Sequence, residues 1–184
     1  EGGSLSLGDN GGTYNAAISN NGTVSIDASV SSFAGGITNN GVVEVNESEN
    51  LDLASLMAVN ANGQIRLNDR IMLQDLTVVG GIQVNYGLAG DDLSGTKVAE
   101  NATLTINADS TVNQSVEENK GTVKIADGVT FKLYGGENAD VEQTLVDGVF
   151  TCEESGTYYY VVTVEQDVPA DNIYQVVEDD SLLS

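Results

Sequence analysis

The chain has 184 residues, 40% hydrophobic and only 5% aromatic, with 28 acidic side chains against 6 basic ones and a net charge of −22. So acidic a surface repels phosphate backbones and anionic headgroups, which argues against nucleic acid and electrostatic membrane docking. Histidine is absent, which removes Ser-His-Asp and Cys-His catalysis and imidazole-ligated metals. The single cysteine, Cys152, permits no internal disulfide and reads as a buried, inert thiol.

In chain order, one short pattern returns seven times: a small residue, usually Gly, then alternating apolar positions closed in most copies by Asn or Asp. The copies are GSLSLG from Gly3, GTVSID from Gly22, GVVEVN from Gly41, GQIRLN from Gly63, GGIQVN from Gly80, ATLTIN from Ala102 and GTVKIA from Gly121. Successive starts lie 19, 19, 22, 17, 22 and 19 residues apart. The second and fourth positions after each start are aliphatic, from Leu5 and Leu7 through Ile65 and Leu67 to Val123 and Ile125. Period-two alternation is the mark of a strand with one buried face. The intervening Thr23, Ser25, Gln64, Arg66, Thr103, Thr105 and Lys124 then face outward.

Between these strands lie further anchors: Val30, Phe33, Leu51, Leu53, Leu56, Ile71, Leu73, Leu88, Leu93, Val112 and Val116. A recurring apolar residue also stands four before the start, as Ile18, Ile37, Val59, Leu76 and Val98. Each unit of about 20 residues thus holds two or three short strands and closes one coil. One coil buries too few side chains to offset the entropy of ordering its backbone, so coils must stack and hydrogen-bond to one another. The prediction is an all-β, single-stranded parallel β-helix of about seven coils over residues 1–135.

Asparagines mark the corners. Asn21, Asn40, Asn62 and Asn101 directly precede the start of a copy, and Asp27, Asn46, Asn68, Asn85 and Asn107 follow the strand. Stacked at one corner, such amides bond along the rod. The sequons at Asn21, Asn46, Asn101 and Asn113 arise freely in an Asn- and Thr-rich repeat and carry no reading of glycosylation.

After about Gly128 the register fades. Val129–Tyr134 still alternates, followed by GVFTCE from Gly148, GTYYYVVTVE from Gly156, a last strand over Asn172–Val177 and an acidic tail. Residues 136–184 are expected to form C-terminal capping strands or a small β-module, because an open last coil exposes unpaired backbone. Tyr158, Tyr159 and Tyr160 could stack on sugar rings, but alternation sets Tyr158 and Tyr160 on one face with Val162 and Val164, as in a core.

Three chemical possibilities remain. GLAGDDLSG, from Gly87 to Gly95, has a faint likeness to the calcium-binding glycine-aspartate nonapeptide, and Asp91 and Asp92 are the candidate ligands for Ca²⁺. A lyase needs a base among Arg66, Arg70, Lys97, Lys120, Lys124 and Lys132, and Arg66 more simply pairs with Glu44 one coil away. A glycosidase needs two carboxylates across a cleft, for which short coils leave little loop. No apolar run approaches the ~20 residues of a membrane-spanning helix. The start at Glu1 fits both a mature secreted chain and an excised domain.

The segments ISNNGTVSID, ITNNGVVEVN and VNANGQIRLN resemble coils of bacterial extracellular right-handed parallel β-helix surface proteins, of the pectate-lyase-like and adhesin type. The resemblance covers residues 1–130 and is architectural. It implies a secreted or cell-surface rod without a cofactor, whose partner is a host or matrix surface, a glycan included. The expected function is therefore a non-catalytic structural or adhesive domain; the alternative is a carbohydrate-binding or polysaccharide-degrading β-helix.

Overall fold

A computed structural model describes residues 3–7, 12–27, 30–114, 116–135, 149–152 and 157–162, with the backbone alone for 30–32, 132–135, 149–152 and 157–162. It is a parallel β-solenoid. The main sheet has eight strands in the order Ser4–Leu7, Thr23–Ile26, Val42–Val45, Gln64–Leu67, Gly81–Val84, Thr103–Ile106, Thr122–Ile125 and Val149–Cys152. The first seven are the seven predicted rungs, and six turns run between the first and the seventh. Every pairing is parallel, and the aliphatic pairs stand in register, as in Val43↔Ile65 and Val45↔Leu67.

Two further faces complete a coil. One carries Gly12–Thr13 with Val30–Ser32 and, farther along, Ala89–Gly90, Ser110–Val112, Thr130–Gly135 and Thr157–Val162. The other carries Ile18–Asn20 with Ile37–Asn39 and, farther along, Thr77–Val78, Lys97–Val98 and Glu118–Asn119. The described strands beyond residue 135 thus add to the solenoid's own sheets. Val149–Cys152 pairs parallel with Thr122–Ile125, and Thr157–Val162 with Thr130–Gly135. The strand expected over Asn172–Val177 lies outside the described residues.

The inward aliphatics form one continuous core, in which Val43, Ile65, Leu67, Leu104 and Ile125 are fully buried. Leu5 is 44% exposed, whereas Val24, its partner in register, is 2% exposed, because no described strand covers the outer side of the first rung.

The third coil departs from the expected strands. Leu53–Ala58 is a short helix, begun by Asp52, whose side chain accepts the Ser55 amide, and it buries Leu53, Leu56 and Met57 on one side. The spacing i, i+3, i+4 presents these three to the core. Val59, expected inside, caps that helix and is 39% exposed, and Asn60 takes the buried place beside it.

Candidate functional site: an outer polar face and two amide ladders

The outward side of the main sheet is mostly polar, since strand alternation turns every second residue outward. One column holds Ser4, Thr23, Val42, Gln64, Gly81, Thr103 and Thr122; beside it run Ser6, Ser25, Glu44, Arg66, Gln83, Thr105 and Lys124. From Thr23 onward these residues are half-buried. Glu44 and Arg66 meet across one rung at 2.9 Å, both partly exposed. Replacing Arg66 by Ala should therefore change unfolding free energy by no more than about 1 kcal/mol in urea titrations.

Along the edge of this face runs the predicted corner ladder. Nδ2 of Asn46 donates to Oδ1 of Asp27 at 2.7 Å, Asn68 to Asn46 at 2.6 Å, Asn85 to Asn68 at 2.6 Å and Asn107 to Asn85 at 2.7 Å. An amide has two N–H donors and two acceptor sites on oxygen, so each link leaves hydrogen-bonding capacity that water or a ligand can meet.

A second ladder, inside the rod, was not anticipated. Asn20 donates to Oδ1 of Asn39 at 2.8 Å, and Asn39 donates to Oδ1 of Asn60 at 2.7 Å; all three are buried. Each also donates to a backbone carbonyl of the next rung: Val42, Gln64, and for Asn60 both Val79 and Gly81. The signal lay in the alternation of Ile18 with Asn20 and Ile37 with Asn39, which sets both asparagines inward. Counting apolar residues alone passes over it.

Asp91 and Asp92 sit on the surface turn between Ala89–Gly90 and Lys97–Val98. Asp92 forms an ion pair with Arg70 at 2.6 Å and accepts the Ala89 amide at 2.8 Å; Asp91 accepts from Nδ2 of Asn113 at 3.2 Å. These bonds shape the turn. No group of three or more metal-ligating side chains gathers among the described residues. Nearby, the Tyr86 hydroxyl donates to the Ile71 carbonyl at 2.7 Å, and burial pushes the phenol up to about 12, so that donor persists at alkaline pH.

Tyr158, Tyr159 and Tyr160 pair in register with Phe131, Lys132 and Leu133, and Cys152 with Ile125. Their side chains lie outside what is described. Of the six basic residues, Arg66, Arg70, Lys97 and Lys120 pair with Glu44, Asp92, Glu117 and Glu118 respectively. No described helix is long and apolar enough to cross a membrane.

Several surface carboxylates are held below their ordinary range by hydrogen bonds. Asp27 accepts from the hydroxyls of Ser6 and Ser25 and from the Asn46 amide, Asp69 from the hydroxyl and amide of Ser48, and Asp52 from the hydroxyl and amide of Ser55. Glu118 is lowered chiefly by its bond from Lys120. A lowered native value means that the unfolded chain binds protons more readily. The stability these groups contribute is complete above the unfolded carboxylate range and lost as pH falls through their native values. The melting midpoint should therefore drop on acidification below about pH 4, and Asp27→Asn should flatten part of that slope. At neutral pH, added salt should instead raise the midpoint, by screening the repulsion within a chain of net charge −22.

Comparison with protein-family models, with curated proteins and with solved structures finds no match to this chain.

Proposed function

We propose that the protein is a non-catalytic rod from a bacterial extracellular surface protein, of the adhesin kind, and that its outer polar face contacts a host or matrix surface. The carrying observation is the continuity of that face: a column polar at every rung, through Glu44, Arg66, Gln83, Thr105 and Lys124, runs beside an amide ladder. Such an array suits an extended, neutral, hydroxyl-rich partner, and a glycan has that chemistry. Two features favour display over turnover. At least four of the six basic side chains are paired with acids, and the six coils between the first seven rungs, 17 to 22 residues long, leave little chain for cleft walls.

The test is to apply the full chain to immobilised glycans and matrix proteins, with parallel assays for reducing and unsaturated sugars. Saturable binding without products is expected, weakened at least about tenfold when Gln83, Asn85 and Thr105 are changed together to Ala, a loss of roughly 1.4 kcal/mol. Reproducible release of sugar products would overturn the reading. Binding that survives the triple change would move the contact to another face. A chelator arm reports on Ca²⁺: a midpoint that rises with Ca²⁺ and falls with chelator would add a metal to the assembly.

A further inference from the structure

The fold places an intrinsically reactive dipeptide at the entrance to successive rungs, and a neighbouring side chain ties down its nucleophile. Asn21-Gly22, Asn40-Gly41 and Asn62-Gly63 are Asn-Gly steps. In such a step the glycine nitrogen can attack Cγ of the asparagine. A new C–N bond closes a succinimide, Nδ2 leaves as ammonia carrying the proton lost from the glycine nitrogen, and water then opens the ring to aspartate or isoaspartate. Glycine speeds the attack because no side chain hinders it.

At Gly41 and Gly63 a Cβ fits only if the neighbouring rung shifts. A Cβ at Gly41 would lie 2.8 Å from the nitrogen of Gly22, and one at Gly63 would lie 2.6 Å from Cγ of Asn39. Close approach therefore favours glycine after Asn40 and Asn62, whereas at the sixth rung Asn101 is followed by Ala102. Asn21, Asn40 and Asn62 are all exposed to water.

We propose that the buried asparagines Asn20 and Asn39 act as guards of these modification sites, suppressing deamidation of Asn21 and Asn40 by holding the attacking nitrogen as a hydrogen-bond donor. Gly22 N donates to Oδ1 of Asn20 at 3.0 Å, and Gly41 N to Oδ1 of Asn39 at 3.2 Å. An amide nitrogen engaged in this way points its proton at the guard and must break that bond before it can turn onto Cγ. The neighbouring peptide is fixed as well, since Asn40 N donates to the Asn20 carbonyl at 2.8 Å and Val42 N to that of Gly22 at 2.8 Å. Gly63 is tied differently, its nitrogen donating to the Asn60 backbone carbonyl at 2.9 Å. The same guard bond occurs at Gly121, whose nitrogen donates to Asn119, where Lys120 replaces the reactive asparagine. The bond thus recurs at three corners, Gly22, Gly41 and Gly121, and at the first two asparagine occupies the middle position.

The experiment ages the full chain in mildly alkaline buffer and follows the amide-to-acid mass change at each site by peptide mapping, with and without urea. Folded chain should react at Asn21 and Asn40 more than about tenfold more slowly than unfolded chain, because reaction must wait for local opening. Asn20→Ala should raise the rate at Asn21 by about five- to tenfold, the equivalent of one hydrogen bond, and leave Asn40 unchanged. Asn39→Ala should give the reciprocal pattern, a faster reaction at Asn40 with Asn21 unchanged. Equal rates in folded and unfolded chain would overturn the proposal, as would Asn20→Ala raising both sites together or neither.

Discussion

Replacing Asn39 by Leu should lower the unfolding free energy by about 3–6 kcal/mol, although the two side chains are similar in size. Asn39, itself buried, accepts from Asn20 and donates to Asn60 in the interior, and accepts from Gly41 N and donates to the Gln64 carbonyl at half-buried positions. Leucine fills the space but leaves two or three of these partners unpaired, at about 1–3 kcal/mol each. That is a large share of the 5–15 kcal/mol by which a typical domain is stable. Urea titration of the full chain checks it, through a lower midpoint at unchanged slope. The comparison is Asn68→Ala in the exposed ladder, where water takes over the broken links and the loss should stay within about 1 kcal/mol. Equal losses at the two positions would show that burial is not what gives the inner ladder its weight.

Gly41→Ala should cost about 3 kcal/mol, the upper end of what overpacking exacts in a closely packed interior. The added methyl would meet the backbone nitrogen of Gly22 at 2.8 Å and stand closer still to its carbonyl oxygen. Backbone cannot step aside as a side chain can, so the two rungs must separate and loosen the hydrogen bond from Val42 N to Gly22 O. Gly81→Ala is the control, since its nearest neighbours lie 3.5 Å away or more. It should fall within about 1 kcal/mol of the parent and can gain from a stiffer unfolded chain. Thermal melts of the two variants decide between a requirement for close approach and a general intolerance of side chains at rung entrances.

The main sheet was legible because a buried strand writes its face into every second residue: Val43 with Val45 and Ile65 with Leu67 announce their own pairing. The outer ladder was legible for a related reason, since Asn46, Asn68, Asn85 and Asn107 recur at one offset from those pairs. The helix Leu53–Ala58 was not. Leu51, Leu53 and Leu56 stood out as inward anchors, but three apolar residues in six fit a strand corner as well as a helical turn; what decides is the Asp52 cap and the buried Met57. The inner ladder escaped for a physical reason too. Asparagine is ordinarily a surface residue, and only the stacking of one coil on the next supplies Asn20, Asn39 and Asn60 with partners in the interior. Likewise, Asp91 and Asp92 read as candidate Ca²⁺ ligands, and only the fold brings Arg70 and Asn113 beside them.

The parallel pairing of successive coils also fixes how the molecule would answer a pull on its two ends. Hydrogen bonds between rungs point along the rod, so tension opens them a few at a time at the terminal coil instead of shearing a whole sheet at once. Each 19-residue coil that comes free lengthens the chain by about 60 Å. Stretched between two anchored surfaces, the rod would pay out like thread from a spool, in small steps at modest force, and take up slack by rewinding onto the coil beneath.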